Sequence, residues 1–233
     1  MTEPGAPGDL HGASEAPHGA PEALHGAPEA LHGAPGALLV IISGPSGVGK
    51  DTIIDALRDR PREHAYHYVV TCTTRGPRPG EIPGVSYQFL TPAAFHELLD
   101  AGELLEANEV HGNWYGTPRR DVATALADGH DVILKIDVQG AMVVKQRVPE
   151  ALLVFIVPPS LEALFQRLRS RATETADELE IRQRNAAIEL ARQGDYDRVV
   201  VNETGEVDRT AAEIEAIITQ EKRRNADRRI RVG

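Results

Sequence analysis

Cysteine is almost missing from this chain: Cys72 is the only one in 233 residues, so no disulfide can form within it. With nothing else pointing to an oxidising compartment, a cytoplasmic location is the expectation. Long apolar runs are missing too. None approaches the ~20 residues a membrane-spanning helix requires, and the N-terminus lacks the basic-then-apolar order of a secretory signal. A soluble protein with no membrane partner is expected. An excess of basic residues is also absent, since the net charge is −10. A duplex-DNA binder needs a strongly basic face, so no nucleic-acid partner is expected. The acidity is uneven: the first 37 residues hold Glu3, Asp9, Glu15, Glu22 and Glu29 with no lysine or arginine, and account for about half of it.

What is present is an ordinary globular mixture, 41% hydrophobic and 26% charged, enough for one compact α/β domain with a small insertion. The segment 1–37 repeats His-Gly-Ala at a seven-residue spacing, at His11, His18, His25 and His32. Proline and glycine in the repeats defeat a coiled coil. Too little apolar surface is available to offset ordering entropy, so a disordered low-complexity tail is expected. Its spaced histidines could bind a metal only weakly.

Order is expected from Leu38-Leu39-Val40-Ile41-Ile42, a run suited to a strand buried on both faces. Helical spacing follows from Thr52 to Arg60. Tyr66 to Thr73 is rich in strand formers, and Tyr87 to Phe89 reads as a return strand. Helices are expected over Pro92–Gly102 and Asp121–Asp128. Val132–Val138, Leu152–Val157 and Val199–Val201 read as strands, and Leu161–Arg171, Asp177–Gln193 and Val207–Lys222 as helices. Strands alternating with helices imply an α/β fold with a parallel sheet.

Gly44-Pro45-Ser46-Gly47-Val48-Gly49-Lys50 follows the first strand and opens the first helix. That is the context of a P-loop: glycines let backbone N–H groups wrap nucleotide phosphates at a helix N-terminus, and Lys50 reaches the β- and γ-phosphates. The hydroxyl residue that normally follows the lysine and binds Mg²⁺ is replaced by Asp51, with Thr52 one place later. The loop identifies a nucleotide-phosphate site and leaves the reaction open.

Further motifs follow: Thr71-Cys72-Thr73-Thr74-Arg75-Gly76-Pro77-Arg78-Pro79-Gly80-Glu81, Tyr87, Glu106, Tyr115-Gly116-Thr117, Ile136-Asp137-Val138-Gln139-Gly140, Pro158-Pro159-Ser160 and Arg171-Ala172-Thr173-Glu174-Thr175. In order and spacing these resemble the guanylate kinase family from about Leu38 to Lys222. The resemblance implies a P-loop NTPase core with helices flanking a parallel sheet, an inserted GMP-binding α+β region and a helical lid. The expected limits are a domain over 38–224, with core 38–67, 121–157 and 194–224, GMP region 68–120, lid 158–193, and a basic tail over 225–233. It implies that ATP and GMP are the substrates and that Mg²⁺ accompanies ATP, in a monomer or homodimer. Gly44 to Thr52 would hold ATP, together with Arg167. Arg75, Arg78, Tyr87 and Tyr115 would hold the GMP phosphate, and Thr71, Glu106, Thr117 and Asp137 would read guanine. Lys50, Arg75, Arg171 and Arg182 would neutralise the moving phosphoryl group.

The residue chemistry agrees. Guanidinium forks and phenol hydroxyls suit a phosphate dianion. Carboxylates at Glu106 and Asp137 can accept from guanine N1–H and its amino group, whereas adenine offers an acceptor at N1. Lys135 stands where the family commonly has an acid that organises Mg²⁺. The acid therefore looks as if it has crossed to Asp51, which would then face Lys135 beside a Mg²⁺ held mainly by phosphates and water, with Asp51 as the protein's metal ligand; the alternative is that Lys135 extends to the sheet end and Asp51 merely caps the helix. Two other readings stay open: a P-loop kinase of a sugar phosphate such as ribose 1,5-bisphosphate, and a non-catalytic interaction module.

Overall fold

Leu39 to Ser43 is buried at every position, and this strand sets the architecture. The computed structural model describes residues 31–61, 65–110, 112–169 and 176–232, with backbone alone at 31, 32 and 176–178. In chain order the elements are β1 (Leu31–His32), β2 (Leu39–Ser43), α1 (Lys50–Asp59), β3 (His67–Tyr68), β4 (Cys72–Thr73), β5 (Gln88–Phe89), α2 (Pro92–Asp100), β6 (Leu104–Val110), β7 (Asn113–Pro118), α3 (Arg119–Ala127), β8 (Val132–Lys135), α4 (Val138–Arg147), β9 (Leu152–Val157), α5 (Leu161–Arg169), α6 (Ala176–Leu190), a 3₁₀ turn (Ala191–Asp195), β10 (Arg198–Val201), α7 (Val207–Arg224) and β11 (Arg231–Val232).

The core sheet is parallel throughout, in the order β10-β9-β2-β8-β3. Alternate side chains point to opposite faces. Leu39, Ile41, Leu134, Leu153 and Phe155 pack with Val122 and Leu126 of α3 and Ala141 and Val144 of α4. Val40, Ile42, Ile133, Val154 and Ile156 pack with Ile53, Ile54 and Leu57 of α1, Leu164 and Leu168 of α5, and Ile214 and Ile218 of α7. Two apolar faces explain why these strands read as continuous hydrophobic runs.

A second sheet, β5-β4-β7-β6, stands apart with its own small core of Cys72, Phe95 and Leu104. The strand-rich stretch Tyr66–Thr73 is therefore two strands in two sheets. The hairpin of β6 and β7 carried no assignment in the sequence. The expected strand Val132–Val138 stops at Lys135, because Asp137 caps α4: its Oδ1 accepts from the Gln139 and Gly140 amides. A mid-chain aspartate before an apolar stretch is a helix-start signal that the β-branched run concealed.

The termini also differ from expectation. Order does not begin at Leu38, and the basic C-terminal segment is not simply solvated. β1 pairs antiparallel with β11, Leu31 opposite Val232. The Gly33 amide donates to the Ile230 carbonyl and the Ala34 amide to that of Leu126, each at 2.8 Å. Ile230 and Val232 are buried in the same cluster as Leu126. The alternation Ile230-Arg231-Val232 places two apolar side chains on one face, a pattern that a count of arginines hides. The expectation for 1–30 lies outside the described residues. Replacing Ile230 by alanine is expected to lower the unfolding free energy by about 2–5 kcal/mol, read by chemical denaturation. A change below about 0.5 kcal/mol, usual for surface positions, would mean that this segment does not pack.

Candidate active site

The loop between β2 and α1 owes its shape to three glycines with positive φ, Gly44 (146°), Gly47 (83°) and Gly49 (100°). A β-carbon at Gly44 would lie 2.4 Å from the Ile156 carbonyl oxygen, and one at Gly49 would lie 2.7 Å from Asn202 Nδ2. Close backbone approach, as well as φ, thus reserves these positions for glycine. Lys50 folds back over the loop, its Nζ donating to the carbonyls of Gly44 (2.6 Å) and Pro45 (3.1 Å). Burial lowers its pKa, against the nearby carboxylates of Glu189, Asp51 and Asp137, which act to raise it. Asn202 supports the loop from beneath, donating from Nδ2 to the Val48 carbonyl (2.8 Å) and accepting at Oδ1 from Thr210 Oγ1 (3.2 Å).

Across a cleft of about 190 Å³ stands the second sheet. Its walls bring together the P-loop residues Gly44, Ser46, Gly47, Gly49, Lys50 and Asp51 with Thr71, Arg78, Tyr87, Glu106, Tyr115, Lys135 and Asp137. Glu106 on β6 is 2% exposed. Its Oε1 accepts from Thr117 Oγ1 on β7 and its Oε2 from Asn108 Nδ2, both at 2.7 Å. Gly140 on α4 permits this approach, since a β-carbon there would meet Glu106 Oε2 at 2.8 Å. Arg75 donates from Nε to the Tyr115 hydroxyl (3.3 Å) and forms a two-pronged pair with Glu81 at 2.8 and 3.0 Å. Rings of Tyr87 and Tyr115 meet edge to face with centroids 6.1 Å apart.

A phosphate cradle thus faces a buried carboxylate with ordered donors. The model for the family described as guanylate kinase matches residues 37–221. The chain is 49% identical to the guanylate kinase of Mycobacterium sp. (strain MCS) over 166 residues, 70% of this chain and 83% of that one. It is 49% identical to the guanylate kinase of Gloeobacter violaceus over 180 residues, 77% of this chain and 84% of that one. The crystal structure of guanylate kinase from Anaplasma phagocytophilum aligns with a TM-score of 0.65 at 30% identity, covering 84% of this chain and 90% of that one. The chain belongs to the guanylate kinase family.

Within this guanylate kinase fold, several residues singled out from the sequence lie off the cleft wall. Thr117 is wholly buried and touches the site through Glu106. Val48 is buried in the core and Thr52 is exposed on the first turn of α1. Pro45 offers its carbonyl to Lys50. Arg167 donates to the carbonyls of Val48 (3.1 Å) and Asn202 (3.0 Å), bracing the P-loop from α5. Arg182 of α6 donates to Ser46 Oγ at 3.0 Å. Arg171 lies outside the described residues. Asp51 and Lys135 meet as anticipated, Nζ to Oδ1 at 2.5 Å.

Two residues were not found from the sequence. Asn108 lies two places after Glu106 on a strand and so shares its face, a signal that was there to be used. Glu189 of α6 accepts from the Ser46 amide at 3.1 Å and lies near Lys50. Its carboxylate oxygen sits on a P-loop amide as an anionic ligand would. Nothing local in the sequence links residues so far apart in the chain.

Burial pushes the Glu106 carboxyl from an ordinary value of 4.5 up to about 7; Asp137 adds to the rise, while Thr117, Asn108 and Arg147 oppose it. The unfolded chain ionises this group first, so its contribution to stability is complete below pH 4.5 and is lost as pH rises through about 7. Glu106→Gln is expected to remove a pH-dependent component on the order of 3 kcal/mol between those limits. Denaturation of the ligand-free protein across pH 4.5–8 checks it, and an unchanged slope in the variant would contradict it.

Proposed function

We propose that this chain transfers the γ-phosphate of ATP to GMP, giving ADP and GDP. The observation that carries the acceptor choice is Glu106: a carboxylate removed from water, oriented by Thr117 and Asn108, on the wall of the P-loop's own cleft. Guanine N1–H and its amino group are donors that the desolvated carboxylate of Glu106, together with the partly exposed Asp137, can accept. Adenine would leave that carboxylate facing an acceptor, and an unpaired buried polar group can cost ~10⁴-fold in discrimination. Thr71, buried on the same wall, offers a hydroxyl to O6. Arg75, Arg78, Tyr87 and Tyr115 hold the acceptor phosphate. Glu81 keeps the Arg75 fork aimed, by the bidentate pair seen here.

The transfer needs in-line placement and charge neutralisation, with no covalent enzyme intermediate. The P-loop amides and Lys50 fix the donor phosphates, Arg167 braces the loop that presents them, and Arg171 and Arg182 contribute charge to the moving group. Closure of the lid segment keeps water from competing as acceptor. No group of three or more His, Cys, Asp or Glu that could hold a metal occurs among the described residues. The carboxylate of Asp51, 71% exposed beside the P-loop, suits a hard ion bound mainly by phosphate oxygens and water. Mg²⁺ bound there would neutralise charge on the β- and γ-phosphates. An intact P-loop separates this reading from a non-catalytic module, and the Glu106 cluster separates it from a sugar-phosphate kinase.

A coupled ADP-release assay with GMP, AMP and ribose 1,5-bisphosphate tests the proposal. Rapid turnover with GMP is expected, with Glu106→Gln reducing kcat/KM for GMP by about a hundredfold, in line with hydrogen bonds to a charged group. Turnover with the sugar phosphate alone, or with none of the three, would overturn it.

A further inference from the structure

Lys135 stands where the family resemblance implies an acid, and its surroundings indicate a use for the change. It closes β8, the strand beside the one that feeds the P-loop. Its side chain is 22% exposed, and its Nζ lies 2.5 Å from Asp51 Oδ1. The same ammonium lies 5.0 Å from the centroid of the Tyr87 ring. An ammonium has three N–H donors, and the contact with Asp51 engages one of them.

The position matters as much as the count. Lys135, Asp51, Tyr87 and Thr71 line both the P-loop cleft and the adjoining pocket of about 430 Å³ that reaches Pro79, Gly80 and Glu81. Lys135 thus stands on the partition between the donor loop and the Arg78–Tyr87–Tyr115 wall. An acid here would repel an arriving phosphate dianion unless a cation lay between them. A lysine attracts it directly. Asp51 is well exposed, so it can turn toward solvent at little cost when a phosphate replaces it, while Lys135 remains anchored in the sheet.

We propose that Lys135 is a direct ligand of the acceptor phosphate, with Asp51 as the positioning residue that holds its ammonium at the cleft edge before nucleotide arrives. This rests on the reading of the site as a GMP acceptor site. It makes acceptor binding independent of a divalent ion, because the charge that meets the phosphate belongs to the chain.

Calorimetric titration in the presence of EDTA, with GMP and with guanosine, tests this on the full chain. Lys135→Met is expected to weaken GMP binding about ten- to a hundredfold and to leave guanosine affinity unchanged. Lys135→Arg, which keeps the charge, is expected to recover most of the loss. A GMP-to-guanosine affinity ratio that is the same in wild type and Lys135→Met overturns the inference. Equal losses for both ligands, the signature of a merely structural role, also overturn it. If Lys135→Met does not fold, Lys135→Glu supplies the same comparison, and wild-type affinity for GMP in that variant overturns it equally. Wild-type turnover of GMP alongside an unchanged ratio rejects Lys135 alone, whereas absent GMP turnover rejects the acceptor-site reading beneath it.

Discussion

The desolvated carboxylate of Glu106 is the constraint on which the rest of the site depends. An ionised carboxyl loses solvation on burial, and unless partners are supplied it takes up a proton instead. Here two side-chain donors are present, from Thr117 on the paired strand and from Asn108 on the same strand. They are too few to hold the group at its ordinary pKa; on the proposed function, the N–H groups of guanine complete the set. The hairpin of β6 and β7, the glycine at 140 and the small core behind Phe95 all serve to keep this group in place.

The fold divides the labour between its two sheets. The parallel sheet is buried on both faces and fixes the P-loop from three sides: β2 before it, Asn202 beneath it and Arg167 from α5. The smaller sheet carries Glu106, Thr117 and Tyr115, with Thr71 just before β4, and faces the loop across the cleft. Asp137 and Lys135 sit where β8 gives way to α4, so they belong to the rigid core and yet reach the acceptor side. Glu189 and Arg182, both on α6, meet Ser46 from the other direction. Each cleft wall therefore presents a matched set of charges before any nucleotide is bound.

The parallel core was legible in the sequence because its strands are too apolar to be anything but doubly buried, and because the glycine pattern after β2 has few other uses. The Asp51–Lys135 contact was legible as a pair of compensating departures from a family pattern. Other features were hidden for identifiable reasons. Two strands of the small sheet, β4 and β5, are only two residues long and leave no periodicity to read. The start of α4 was masked by a β-branched run that continues past the end of β8. The terminal strand pair depends on an apolar alternation embedded in arginines. The Glu189 contact is purely tertiary, joining Ser46 to α6 far along the chain.

On the proposed function, Glu106 is partly protonated when the cleft is empty and ionised when guanine fills it. Calorimetry of GMP binding near pH 7, repeated in buffers of different ionisation enthalpy, measures this directly as protons released per GMP bound. The difference between wild type and Glu106→Gln removes the part that belongs to the nucleotide's phosphate. A release of a substantial fraction of a proton in the wild type, absent from the variant, is the predicted result. Identical proton release in the two proteins would mean that Glu106 does not read the base.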